Sequence, residues 1–322
     1  MNILNQWHSP TVVPVQLFNA TEDAQVLRKA IKGFGTDDKT IIKILARRNN
    51  RQRLQIANAY KTLFGKDLLK DFKGKLSADF ANLVIAMMTP TNDYYVKQLE
   101  EAMEGTEIDE DALIEILCTK SNEEIRFIKQ NYEKLCDKSL QSDLKRATFG
   151  TFKRILVSQC NACRDNSTII NPKEAFDDVQ ALLKAGEHLL GTDESIFITI
   201  MCQRNYLQLK LVFEEYHRIT SSDIEKDIKS KFSGNSKAAL LAIVRSIRSQ
   251  PTFYAKMLNR SMKGLGTNNR QLIRIVVTRS EIDMGFIKKE YQARYRISLA
   301  DAIKGDCSGS YKKCLLALID EL

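Results

Sequence analysis

Glycine and proline are scarce, at 14 and 5 residues in a chain of 322. An all-β chain of this length would need many more tight turns, so helices are expected. No run of 18 apolar residues occurs, which removes a membrane-spanning helix. The start, Met1-Asn2-Ile3-Leu4-Asn5-Gln6-Trp7-His8, lacks the basic and apolar regions of a secretory signal. The seven cysteines are odd in number and scattered, as free thiols of a reducing compartment would be. Cys160 and Cys163 form one CxxC with no second pair, and are expected on one face of a buried helix. The three histidines, His8, His188 and His217, share no ligand spacing. No nucleophile–base set and no phosphate-cradling glycine motif after a strand is present, so no enzyme is expected.

The charge that is present is uneven. The formal net charge is +9. Residues 1–90 carry 14 Lys and Arg against 7 Asp and Glu, and residues 251–322 carry 13 against 7. Residues 91–166 are net acidic, with 11 against 15. Two basic outer quarters suit an acidic partner, whether lipid head groups or another polyanion.

An internal repeat organises the chain. Gly33-Phe34-Gly35-Thr36, Gly105-Thr106-Glu107-Ile108, Leu189-Leu190-Gly191-Thr192 and Gly264-Leu265-Gly266-Thr267 start 72, 84 and 75 residues apart. The register after them is constant. Twenty-four residues beyond the last residue of each segment stand Tyr60, Tyr132, Tyr216 and Tyr291, and twelve beyond stand Arg48, Lys120, Arg204 and Arg279. This is a fourfold duplication. Apolar residues at spacings of three and four, as in Ile41-Ile42-Ile44-Leu45, give about five short helices per unit. Asp37, Asp109, Asp193 and Asn268 follow the glycine turns and are expected to cap the next helix. The longest connector, Arg164–Asn171 before Pro172, is expected to hinge two halves.

Glycines in such a turn permit positive φ, so consecutive carbonyls can face outward. Outward carbonyl oxygens are hard ligands that suit Ca²⁺ once a carboxylate joins them. The turn Met262-Lys263-Gly264-Leu265-Gly266-Thr267, the four-unit layout, the stretch Thr278-Arg279-Ser280-Glu281-Ile282-Asp283 and Lys304-Gly305-Asp306 together resemble the annexin family. The resemblance runs from about residue 20 to the C-terminus. It implies an all-α fold of four five-helix repeats forming a curved disc. It also implies Ca²⁺-dependent binding to acidic phospholipid membranes, with a cytoplasmic location and peripheral attachment. The segments are expected as a tail (1–19), repeat 1 (20–90), repeat 2 (91–163), a linker (164–174), repeat 3 (175–249) and repeat 4 (250–322).

In the family, a carboxylate 39 residues after the Thr completes the loop carbonyls. In repeat four that position is Asp306, so the resemblance implies a metal site of Met262, Gly264, Gly266 and Asp306. In repeats one, two and three the same position is Lys75, Ala147 and Lys231, and the second repeat has Glu107 for the second glycine. Degenerate sites are therefore expected in repeats one to three. Thr36 with Asp38, and the third-loop positions Gly186, Leu189, Gly191, Thr192 and Glu194, resemble the minor sites of the family. Leu265 and Phe34, apolar residues in the turns, are expected to contact lipid, and Lys75 and Lys231 to meet lipid phosphate or else to be solvated charges. The competing reading is a Ca²⁺-independent scaffold that binds polyanions or an acidic protein through repeats one and four; nucleic acid is not the expected partner.

Overall fold

The computed structural model describes residues 8–33, 35–105, 107–186, 193–264 and 266–321. Among the described residues the chain is all helix and turn, with no strand. The first repeat holds α1 (Ala20–Ile31), α2 (Asp38–Leu45), α3 (Asn50–Phe64), α4 (Leu68–Lys73) and α5 (Ala78–Met88). The second holds α6 (Thr91–Glu104), α7 (Glu110–Leu117), α8 (Asn122–Cys136), α9 (Leu140–Ala147) and α10 (Gly150–Cys160). The third holds α11 (Pro172–Gly186), α12 (Glu194–Gln203), α13 (Tyr206–Thr220), α14 (Ile224–Lys231) and α15 (Gly234–Arg248). The fourth holds α16 (Gln250–Ser261), α17 (Asn269–Arg279), α18 (Met284–Tyr295), α19 (Leu299–Asp306) and α20 (Gly309–Leu318). No helix among the described residues is long and apolar enough to cross a membrane.

Local chemistry sets these boundaries. The side chains of Asp37, Asp109, Asp193 and Asn268 each accept a backbone N–H in the first turn of the second helix, as the sequence led us to expect. The third helices α3 and α8 begin with reciprocal capping boxes, Asn49 with Gln52 and Ser121 with Glu124. Each third helix ends on a left-handed residue at one equivalent position: Gly65 (φ 62°), Asp137 (φ 53°), Ser221 (φ 52°) and Arg296 (φ 61°). Only the first repeat uses glycine there. The other three hold a side chain in a conformation that costs an L-residue about 1–2 kcal/mol.

The fifth helices carry much of the core: Leu83 and Val84, Ile155 and Leu156, Leu240 and Val244, and Leu315 are all fully buried. The repeated tyrosines are buried beside them. Tyr60, Tyr132 and Tyr216 donate to carboxylates eleven residues ahead, Asp71 at 2.7 Å, Asp143 at 2.8 Å and Asp227 at 2.5 Å. The fourth repeat has Ala302 at that place, and Tyr291 instead donates to Asn259 at 3.3 Å.

The chain divides into two compact units. One is built from residues 95–250, hence the second and third repeats; the other joins residues 8–94 to residues 251–321. The connector 164–171 therefore lies inside one unit and is not a hinge between halves. Its role is local: Arg164 donates to the carbonyls of Met201 and Arg204, and Asp165 N donates to Gln203 O. The CxxC also differs from expectation. Cys160 closes α10 and is buried, but Cys163 lies beyond the helix and is exposed. Burial pushes the Cys160 thiol up to about 11.

The left-handed caps give a signed prediction. Arg296→Gly should raise the stability of its unit by about 0.5–1 kcal/mol, since relief of strain exceeds the added unfolded-state entropy. Gly65→Ala should lower stability by about 1 kcal/mol. Urea midpoints of the two variants, read against the unchanged chain, should move in opposite directions.

Candidate metal centre

Each first helix meets its second helix through the glycine turn, and the turn closes alike in all four repeats. The N–H of the capping residue donates back to the last turn of the first helix: Asp37 to Ala30 O, Asp109 to Ala102 O, Asp193 to Ala185 O and Asn268 to Ser261 O, at 2.8–3.0 Å. The bond spans seven residues in repeats one, two and four, but eight in repeat three. The third loop is thus one residue longer. The Thr40 hydroxyl and amide hold the Asp37 carboxyl below its usual range.

The glycines of repeats one and four match in backbone angle. Gly33 and Gly35 have φ of 128° and 91°, and Gly264 and Gly266 have 122° and 87°. These values suit glycine and no other residue without strain. Among the described residues no backbone N–H donates to the carbonyls of Met262, Gly264 or Gly266. Gly264 and Gly266 are exposed and Met262 is half-buried. The second loop is different. Gly105 is not left-handed, and a Cβ there would stand 2.9 Å from Glu107 O.

The carboxylate arrives from the fourth helix of the repeat. Asp306 is the last residue of α19. Its Oδ2 accepts a hydrogen bond from Thr267 Oγ1 at 2.6 Å, which ties the end of α19 to the turn after Gly266. Thr267 acquires a role that its place in the repeat did not disclose. Met262, Gly264, Gly266 and Asp306 are thus gathered at one exposed loop. No cluster of three or more His, Cys, Asp or Glu side chains occurs among the described residues. A site at this loop rests on backbone oxygens and one carboxylate. That donor set is all-oxygen and hard, and it fits Ca²⁺ rather than a thiolate- or imidazole-seeking metal.

The equivalent positions in the other repeats hold no acid. Ala147 and Lys231 end α9 and α14 as Asp306 ends α19, whereas α4 stops at Lys73 and leaves exposed Lys75 in the following turn. Lys231 reaches back to its loop. Its ammonium lies directly against Gly186, where a Cβ would collide with Nζ and stand 2.8 Å from Cε. Phe34, Leu265, Leu189, Gly191 and Thr192 lie outside the described residues.

Asp38 meets Thr36, its expected neighbour, and both Asp38 and Glu194 also accept from a fifth-helix hydroxyl. Asp38 accepts from Thr36 Oγ1 and from Ser310 Oγ, each at 2.5 Å. Glu194 accepts from Thr151 Oγ1, with Arg154 at 3.8 Å. Ser310 and Thr151 open the fifth helices α20 and α10, so these bonds tie repeat four to one and repeat two to three. Sequence inspection missed both hydroxyls. Their only signal was their equivalent place, one residue after a glycine at the start of a fifth helix.

Four copies of a five-helix repeat, each with a capped turn between its first two helices, define an all-α repeat protein whose candidate sites lie on the turns. The family model described as Annexin matches residues 22–87, 94–158, 177–243 and 253–318. Annexin A4 of Mus musculus is 48% identical over 308 residues, 96% of this chain and 97% of that protein. A solved structure of annexin III superposes with a TM-score of 0.94 at 42% identity, covering 97% of each chain. Calcium-bound annexin (Sm)1 superposes with a TM-score of 0.88 at 31% identity, covering 100% of this chain and 97% of that one. The chain belongs to the annexin family.

The cross-repeat hydroxyls are directly testable. Ser310→Ala removes one of two donors to Asp38 and should cost about 0.5–1.5 kcal/mol. Urea unfolding of the unit containing repeats one and four should show the loss.

Proposed function

We propose that this protein attaches to acidic phospholipid surfaces through Ca²⁺ held at the loop of repeat four, and that repeats one to three carry degenerate sites. Annexins are Ca²⁺-dependent phospholipid-binding proteins. The observation that carries the reading is Asp306 bound to Thr267 at 2.6 Å, which sets a carboxylate beside two left-handed glycines. Met262, Gly264 and Gly266 would offer carbonyl oxygens and Asp306 its carboxylate. Ca²⁺ held by these oxygens would supply a hard cation able to bind a lipid phosphate. Leu265, between the two glycines in sequence, would then meet the head-group region. Attachment is peripheral, and binding rather than catalysis is the function.

Repeat one keeps the glycine geometry but carries Lys75, and repeat three has the Lys231 ammonium against Gly186. Two unit charges ~4 Å apart at an effective dielectric near 20 interact by about 4 kcal/mol, and a divalent ion doubles this. A lysine therefore opposes the metal. It also leaves a fixed cation, worth about 1 kcal/mol near an anionic membrane.

A second reading has its own observation. The two basic repeats, one and four, fall in the same compact unit, which concentrates the positive excess of the chain. A Ca²⁺-independent contact with a polyanion or an acidic protein would use that charge.

Sedimentation with phosphatidylserine vesicles separates the readings. Asp306→Ala should remove most of the Ca²⁺-dependent binding; full binding by the variant at every Ca²⁺ level would refute the assignment. Binding that persists unchanged in chelator would favour the polyanion reading. Calorimetric titration of the Lys75→Glu, Lys231→Glu variant should show added Ca²⁺ per chain, with weak affinity on the order of 10⁻⁴–10⁻³ M. An unchanged stoichiometry would mean that these loops have lost more than their acid.

A further inference from the structure

A groove of about 690 Å³ opens between α2 and α20, in the unit formed by repeats one and four. None of the loop ligands lines it. Its floor is aliphatic, with Ile42, Ala46 and Ala317. Its third wall is the N-terminal segment, through Val13 and Val15. That segment is clamped at both ends. Thr11 Oγ1 donates to Leu318 O at 2.6 Å and Thr11 N to Ser280 O at 2.8 Å. At the other end Gln52 brackets Val15, accepting from its N–H at 3.1 Å and donating to its carbonyl at 2.8 Å. The wall is thus fixed by hydrogen bonds, yet Val13 remains 57% exposed.

The rim is cationic. Lys39 and Lys43 stand four residues apart on α2 and so share a face, and Arg47 follows in the turn beyond the helix. Lys313 faces them from α20. All four are exposed, and none belongs to an ion pair. The single acid of the lining, Asp320, follows the end of α20. The starts of the two helices are joined by the Ser310–Asp38 bond, and Lys39, Lys43 and Lys313 lie in the first two turns from it. That end of the groove is therefore lined by ammonium groups above an aliphatic floor, while the Asp38 carboxylate beside it is outside the lining and bonded to the Thr36 and Ser310 hydroxyls.

We propose that this groove binds a single-chain anionic amphiphile, an alkyl chain ending in phosphate or carboxylate, without Ca²⁺. Charge complementarity selects the head group, which sits at Lys39, Lys43 and Lys313. The aliphatic floor and the Val13 wall take the chain. The volume lies in the small-molecule range, ~300–1,000 Å³. Two turns of helix with side chains, ~10–12 Å across and ~11 Å long, exceed it, which disfavours a docked peptide helix.

The test uses the full chain in chelator and dodecyl phosphate below its micellar concentration, followed by calorimetry. One molecule should bind per chain. Inorganic phosphate should bind at least a hundredfold more weakly, and dodecyltrimethylammonium not at all. Lys43→Glu with Lys313→Glu should weaken dodecyl phosphate at least tenfold, and Ala317→Trp, which fills the floor, should abolish binding. The charge variant alters only exposed side chains, so it remains informative if Ala317→Trp fails to fold. Unchanged affinity in the charge variant would overturn the proposal. So would equal binding of inorganic and dodecyl phosphate, or capture of an acidic amphipathic peptide with no uptake of dodecyl phosphate.

Discussion

The cation at the end of each second helix is the constraint on which the loops depend. In repeats one and three it reaches back to the first helix: Arg48 binds Asp23 at 2.7 Å, and Arg204 binds Asp178 at 2.8 Å. In repeats two and four that acid is replaced by a ring. Lys120 lies 4.4 Å from the centre of Tyr95, and Arg279 lies 4.5 Å from that of Tyr254. Each of these cations then takes its carboxylate four residues ahead, from Glu124 and Asp283. The Arg279–Asp283 pair is fully buried, and removing one partner there leaves an uncompensated charge, which costs about 3–5 kcal/mol. The first and second helices are therefore pinned in every repeat by one of two chemistries. The turn between them has fixed ends whatever its own sequence becomes.

That separation explains how the four turns diverged without loss of the fold. Closure by the capping residue's N–H needs no particular side chain in the turn itself. The left-handed angles at 264 and 266 require glycine, and the acid at 306 bonds to Thr267, but neither is part of that closure. Lysine at 75 or 231 changes the charge of a turn while leaving its attachment to the helices alone. Fold and ligand chemistry are carried by different residues of the same short segment.

Much of this was legible in the chain. The constant spacing of Tyr60, Tyr132, Tyr216 and Tyr291 disclosed the repeats, because a buried side chain must recur in phase with its helix. The caps at Asp37, Asp109, Asp193 and Asn268 were visible because capping is local chemistry. Asp306 stood out by its distance from Thr267, through resemblance and not through physics. What stayed hidden was non-local. Nothing in the order of residues says that Ser310 meets Asp38, or that α2 and α20 flank a groove walled by Val13. The connector at 164–171 looked like a hinge because length and polarity suggest slack. Its bonds from Arg164 and Asp165 instead fasten it to the C-terminal end of α12. Cys163 misled for a similar reason, since a three-residue spacing implies a shared face only if the helix continues.

The unit that holds repeats one and four draws its two halves from opposite ends of the polypeptide. Helices α5 and α17, and α2 and α20, pack on each other across more than 150 intervening residues. During synthesis, repeat one precedes the others, and its α2 and α5 pack on α1, α3 and α4 but lack α20 and α17 until repeat four appears. Repeats two and three are contiguous and close on themselves in between. Of the four repeats, the first made is thus the last to be finished, with the faces of α2 and α5 that meet α20 and α17 uncovered while repeats two and three fold.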